Sequence, residues 1–156
     1  RNADALLAIL VDADACPVKD EVYAVATRYG IAVAIVANAP MNVPRGSGAQ
    51  LVVVGRDFDA ADDWIATHAE PGDVIVTSDI PLAARCLARG ARVLAPDGRR
   101  FTDEMIGDAL ATRQLMSELR EMGAVSGGPR PLAEKDRSRF TTRLDQLVQE
   151  GLRESR

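Results

Sequence analysis

The sequence predicts an α/β domain with one mostly parallel sheet of about five strands, covered by helices on both faces. Three observations predict it. Short Val/Ile/Leu/Ala runs alternate with segments of helical periodicity along most of the chain. Those runs are continuous rather than alternating, as strands buried on both faces require. The length, 156 residues, suits one compact domain with its own core.

Leu6–Val11 reads as the first buried strand, and it stops abruptly at Asp12. Pro17 fits the first turn of a helix. Val18, Val22, Val25, Ala26 and Tyr29 then recur at helical spacing, and Gly30 ends the run. Ala32–Ala37 is the second strand. The stretch "NAPMNVPRGSGA" is a loop, and Leu51–Val54 is the third strand. A short helix starts near Asp59 and closes before Pro71-Gly72, and Val74–Thr77 is the fourth strand. Ser78 or Asp79 caps the next helix, which runs to Gly90. Val93–Ala95 is the fifth strand, followed by the turn pair Asp97-Gly98. Thr102 caps a long helix whose core face includes Met105, Ile106, Leu110, Leu115, Met116 and Leu119. After the loop "SGGPRP", Arg139–Leu152 is a last helix, which the sequence leaves open as core, arm or appendage.

The formal net charge is −4. Residues 1–91 carry 7 basic and 12 acidic side chains, and residues 92–156 carry 12 and 11. An acidic total argues against a nucleic-acid binder that works by charge alone. No apolar run approaches the roughly 20 residues that span a bilayer, so no membrane partner is expected. Cys16 and Cys86 are the two cysteines, far apart in sequence, and a disulfide framework is not expected. A cytoplasmic protein is the default reading. The sequence leaves the oligomeric state open, a homo-oligomer included.

The chemistry concentrates in aspartates. In a doubly wound sheet, side chains just past the C-terminal strand ends line the site where the strand order reverses. If the first strand is central, with strands two and three on one side and four and five on the other, Asp12 and Asp14 meet Asp79 at that crevice. The segment "DFDAADDWI" adds Asp59, Asp62 and Asp63, which share a helix face. Clustered carboxylates stay ionised only beside a cation; otherwise one of them takes up a proton. All-oxygen ligands favour Mg²⁺ or Mn²⁺, and the single His68 argues against zinc. The competing reading is structural, since acids at strand ends and helix starts also serve as caps. Asn38 and Ser78, at the same edge, are candidate substrate contacts, and Thr77 is a candidate support for Asp79. Cys16 near a helix start reads as packing rather than as a nucleophile.

The motifs "VDADACPV", "DAADDWI", "VTSDIPLAARCLARGARVL", "MIGDALATRQLMSELR" and "GGPRPLAEKDRSRF" stand in this order. Together they resemble the uncharacterised bacterial YaiI/YqxD family, assigned to the PIN-like superfamily. The resemblance runs from about Leu6 to Leu147. It implies a three-layer α/β/α sandwich, with a PIN-like domain over residues 1–125. Residues 126–156 form a basic, helical extension that packs on that domain or projects from it. Many PIN-like domains are Mg²⁺- or Mn²⁺-dependent nucleases. The resemblance places Asp12 at the usual first acid position, Asp62 on the intervening helix and Asp79 after the fourth strand, with Asp14 as an extra acid. In the extension, Arg130, Arg137 and Arg139 either hold phosphates or pair with neighbouring acids such as Glu134 and Asp136.

The resulting expectation is a metal-dependent nuclease, with single-stranded RNA as the favoured substrate. Asp12, Asp14, Asp62 and Asp79 would hold the metal and carry the catalysis, with Asp59 and Asp63 as further ligand candidates. One alternative is a PIN-like module that binds RNA or protein without cutting. Another is a phosphatase of the haloacid-dehalogenase type with Asp12 as nucleophile, though neither Lys19 nor Lys135 sits convincingly as its required lysine.

Overall fold

The structure, a computed structural model, describes residues 7–57, 59–108, 111–112 and 132–154. Its centre is strand β1, Ala8–Asp12, in which all five residues are buried. A 3-10 turn, Ala13–Ala15, leads to helix α1, Lys19–Tyr29, which Gly30 ends in the left-handed conformation. Strands β2, Ala32–Ala37, and β3, Ala49–Val53, follow. Then come α2, Ala60–His68; β4, Val74–Val76; α3, Ile80–Ala88; and β5, Arg92–Leu94. A two-residue strand β6, Arg100–Phe101, precedes a helical segment α4 that begins at residue 103. The last element is α5, Glu134–Glu154.

The sheet order is β3-β2-β1-β4-β5-β6. All pairs are parallel except β5 with β6. The order therefore reverses between β1 and β4, as the sequence argument requires. Side chains alternate across the sheet. Ile9, Val11, Val33, Ile35, Val74, Val76 and Leu94 face α1 and α5. Leu10, Val36, Ile75 and Val93 face α2 and α3. The result is a three-layer α/β/α sandwich with two cores. Among the described residues, no helix is long and apolar enough to cross a membrane.

Several details differ from the sequence reading. Strand β3 is only partly buried, with Val53 48% exposed, because it ends the sheet and has fewer neighbours. β6 is an addition: the Asp97-Gly98 turn folds the chain back as an antiparallel hairpin, and Leu94 pairs with Arg100. Thr102 does cap α4, its Oγ1 accepting from the Met105 N–H at 3.2 Å. Ile106 is buried, but Met105 is 38% exposed and leaves the core face. Leu110, Leu115, Met116, Leu119 and Arg130 lie outside the described residues.

Helix α5 is core, not an arm. It begins at Glu134, earlier than its apolar spacing suggested, because Asp136 closes its first turn by accepting from the Ala133 N–H at 2.9 Å. Phe140, Leu144, Leu147 and Val148 are fully buried in the core under this face of the sheet, with α5 lying against α1 and β5. The helix start is wedged against the β5–β6 turn. At Gly98, with φ of +93°, a Cβ would stand 2.7 Å from Arg139 Cγ and 2.9 Å from the Phe140 backbone N.

Gly98→Ala is therefore expected to cost about 2 kcal/mol or more, combining left-handed strain with overpacking against backbone that has no room to yield. Gly46→Ala, at φ of +76° with open space around it, carries only the conformational penalty of about 1 kcal/mol. Urea unfolding of both variants measures the difference. Equal losses would show that α5 does not hold the hairpin.

Candidate functional site

The site forms where β1 and β4 end side by side. Val11 pairs with Val76, so Asp12, the last residue of β1, and Thr77, the residue after β4, come next along the two strands. Both continue the side-chain row that faces α2 and α3. Thr77 is 1% exposed and Asp12 8%. The Thr77 hydroxyl donates to Asp12 Oδ2 at 2.9 Å. The Thr77 hydroxyl oxygen itself accepts from the Asp79 backbone N–H at 3.0 Å. One hydroxyl thus fixes the Asp12 carboxylate and the backbone from which Asp79 springs.

Asp79 is the N-cap of α3, its Oδ1 accepting from the Leu82 N–H at 2.8 Å. Both sequence readings of Asp79 are compatible, since the cap uses one oxygen. Asp62 lies in the first turn of α2 and is partly buried. Burial first, then the negative charges of Asp79, Asp12 and Asp59, push its carboxyl up to about 6. Asp12 is also raised, mainly by burial and further by Asp14 and Asp79, against the lowering hydrogen bond from Thr77. Acids from three separate segments therefore act on one another. The cations that act on them are Lys19 on Asp12 and Arg85 on Asp62.

Other predicted residues fall into place less uniformly. Asp14 is exposed on the 3-10 turn and adds its charge to Asp12. Asp59 is the N-cap residue of α2 but makes no side-chain cap bond. Asp63 points to Arg85, with Oδ1 2.9 Å from its Nη1, an exposed surface pair. Asn38 lies just past β2, its Oδ1 shielded from solvent without a hydrogen-bond partner among the described residues. Ser78 is exposed beside Asp79.

Of the two described α5 arginines expected to hold phosphates, Arg137 is tied into the fold. Arg137 donates to Pro17 O at 2.9 Å and stands 3.5 Å from Glu21. With Lys19, whose Nζ donates to Cys16 O at 2.7 Å, it pins the loop that carries Asp14. Arg139 is half exposed, 3.9 Å from Asp136. Cys16 is buried, and burial raises its thiol, overriding its place ahead of a helix, so it is packing. Sequence reading missed Arg99, whose place beside Ser78 depends on the unforeseen hairpin.

The donor set is the all-oxygen kind that suits a hard divalent cation: carboxylates from three segments, two of them raised by burial and by their neighbours' charge. The acids do not already close around an ion. Among the described residues, no three His, Cys, Asp or Glu side chains stand together closely enough to hold one.

The family model of the uncharacterised bacterial YaiI/YqxD proteins (DUF188) matches residues 10–150. The chain belongs to the YaiI/YqxD family. A UPF0178 protein of Brucella ovis is 55% identical over 148 residues, covering 94% of this chain and 92% of its own. Another, from Paramagnetospirillum magneticum, is 53% identical over 145 residues, covering 93% and 96%. A third, from Bradyrhizobium diazoefficiens, is 54% identical over 140 residues, covering 90% and 84%. No solved structure matches the chain. The YaiI/YqxD match thus spans almost the whole chain.

The raised carboxyls have a definite pH signature. A carboxyl raised in the folded state favours folding below its unfolded value, near 3.8, and loses that contribution as pH rises through about 6. Asp62→Asn should therefore gain stability relative to the native protein between pH 4 and pH 7. Urea midpoints across that range measure it, and a difference independent of pH would mean that Asp62 is not in the cluster. Thr77→Val should cost about 1–3 kcal/mol, because it strands a buried Asp12 oxygen and the Asp79 N–H.

Proposed function

We propose that this protein is a divalent-cation-dependent phosphodiesterase that hydrolyses single-stranded RNA. One observation carries the reading. Asp12, Asp62 and Asp79, remote in sequence, come together at the sheet's switch point, where the charge of Asp79 raises the carboxyls of both Asp12 and Asp62, and Thr77 holds Asp12 and Asp79 in register. Such a cluster is costly to keep in a fold unless a cation is to be bound there. Asp12, Asp62 and Asp79 would hold Mg²⁺ or Mn²⁺, joined by Asp14 from its exposed turn. When bound, the ion neutralises phosphate charge and makes water a stronger nucleophile near neutral pH.

The chain's own part is positional. Thr77 keeps the Asp12 carboxylate turned into the crevice, and the α3 cap fixes Asp79. No His is needed as a base. The superfamily resemblance supports the reaction class, although a fold by itself does not fix function. RNA, rather than DNA, rests on that resemblance alone.

The second reading is a PIN-like module that binds RNA or protein without cutting. The spacing of the acids, with no three already around an ion among the described residues, favours it. Cleavage decides between the two. Purified protein should cut single-stranded RNA with Mn²⁺ or Mg²⁺, and EDTA should stop it. Asp12→Asn or Asp79→Asn should each lower the rate at least about 100-fold by misplacing the reacting groups. Asp12→Asn should also keep or raise the metal-free melting temperature while losing protection by Mn²⁺. Cys16→Ser, purified in parallel, should cut normally. Activity that survives both Asp variants would indicate a contaminant. Release of phosphate from monoesters through an aspartyl-phosphate on Asp12 would indicate a phosphatase. RNA binding without cleavage under any divalent ion would leave the binding module.

A further inference from the structure

Beside the acid cluster lies a partly enclosed pocket of about 100 Å³, lined by Ser78, Ile80, Ala95, Arg99, Phe101 and Met105. Its position is set by the residues already described. Ser78 stands between Thr77, which holds Asp12, and Asp79, so pocket and carboxylates share a wall. Ile80 opens α3, directly after that capping acid. The other side comes from the β5–β6 hairpin and the start of α4. The hairpin is rigid: Leu94 pairs with Arg100, and Gly98 is wedged against Arg139 and Phe140.

The lining is amphipathic in a specific way. Ala95 and Phe101 are buried. Met105 is one of two large hydrophobic side chains left exposed among the described residues, and it lines this pocket. The polar groups are the Ser78 hydroxyl and the Arg99 guanidinium. Arg99 Nε donates to Asp97 Oδ2 at 2.9 Å, and the side chain is 64% exposed, so most of its charge remains turned to solvent. A flat ring suits an aromatic and a thioether wall, and a guanidinium beside it suits a phosphate. The volume bounds the occupant. A cavity that takes benzene is about 150 Å³. This one accepts the inserted edge of a single ring and has no room for two stacked bases.

We propose that this pocket seats one unpaired nucleobase of a single-stranded substrate, with Arg99 holding the adjoining phosphate. The proposal rests on the phosphodiesterase reading and adds how the strand is registered: an anchored base beside the carboxylates fixes which phosphodiester meets them. A duplex cannot supply that base without unpairing, so the pocket selects single strands.

The test uses RNA hexamers, intact or with one abasic position. Binding is measured by fluorescence anisotropy with Ca²⁺, and cleavage of the same hexamers with Mn²⁺. In the native protein, one abasic position should weaken binding about tenfold. Met105→Trp fills the pocket, so it should weaken the intact hexamer similarly and become indifferent to that abasic position. Should Met105→Trp fail to fold, Ser78→Trp, at an exposed site, blocks the same pocket. Arg99→Gln should weaken all hexamers alike and lower the salt slope by about one counterion. Binding that ignores every abasic position, or an abasic penalty unchanged by the filled pocket, overturns the pocket; cleavage by the same preparation would then leave the phosphodiesterase reading standing. Neither binding nor cleavage of any hexamer overturns both.

Discussion

Burial of β1 on both faces at the centre of the sheet is the constraint from which the site follows. A strand with no exposed residue needs a neighbour on each side and a helical layer on each face. β2 and β4 supply the neighbours, and their connections leave the sheet in opposite directions. The crevice between them is a by-product of packing. Asp12, the last residue of that strand and its first polar side chain, emerges at this crevice because the hydrophobic run ends there.

The crevice sets an electrostatic problem that the rest of the sheet does not share. Asp73 is the instructive contrast. It is fully buried at the opposite edge, where Oδ1 accepts from the Ala8 N–H and Oδ2 from the Glu70 N–H, at 2.9 and 3.0 Å. Backbone amides surround that carboxylate, and its role is to fasten the start of β1. Asp12 has one hydroxyl and two acidic neighbours. Two buried acids at opposite ends of the neighbouring strands thus differ in kind: one is held by backbone amides, and the other faces like charges that Thr77 and Lys19 only partly offset. That asymmetry, rather than the number of acids, is what makes the C-terminal edge the candidate site.

Helix α5 serves both packing and site. Its apolar side completes the core over β1 and α1. Its first turns touch two loops of the functional edge, Pro17 through Arg137 and Gly98 through Arg139 and Phe140. Basic side chains that look like phosphate contacts in sequence are partly committed to holding those loops. Arg99, on the hairpin so held, is the more open cation.

The fold class, the helix caps at Asp79 and Thr102 and the end of α1 at Gly30 were legible in the sequence. Each depends on local chemistry: an apolar run, a capping side chain, a residue free to take positive φ. The central place of β1 was supposed rather than read; with the sheet order found, Asp12 and Asp79 share one edge and the start of α2 brings Asp62 to it. What the tertiary structure decided was pairing. A two-residue β6 carries too little periodicity to announce itself, so Arg99 and its pocket were invisible. Asp63 shares a helix face with Asp59, yet Arg85 of the neighbouring helix takes it. Arg137 was spaced like a surface charge, and only the approach of α5 to Pro17 gave it a partner 120 residues away. The sequence determines which side chains an element presents and toward which end. Which of them meet depends on how elements distant in the chain pack, and no local signal encodes that.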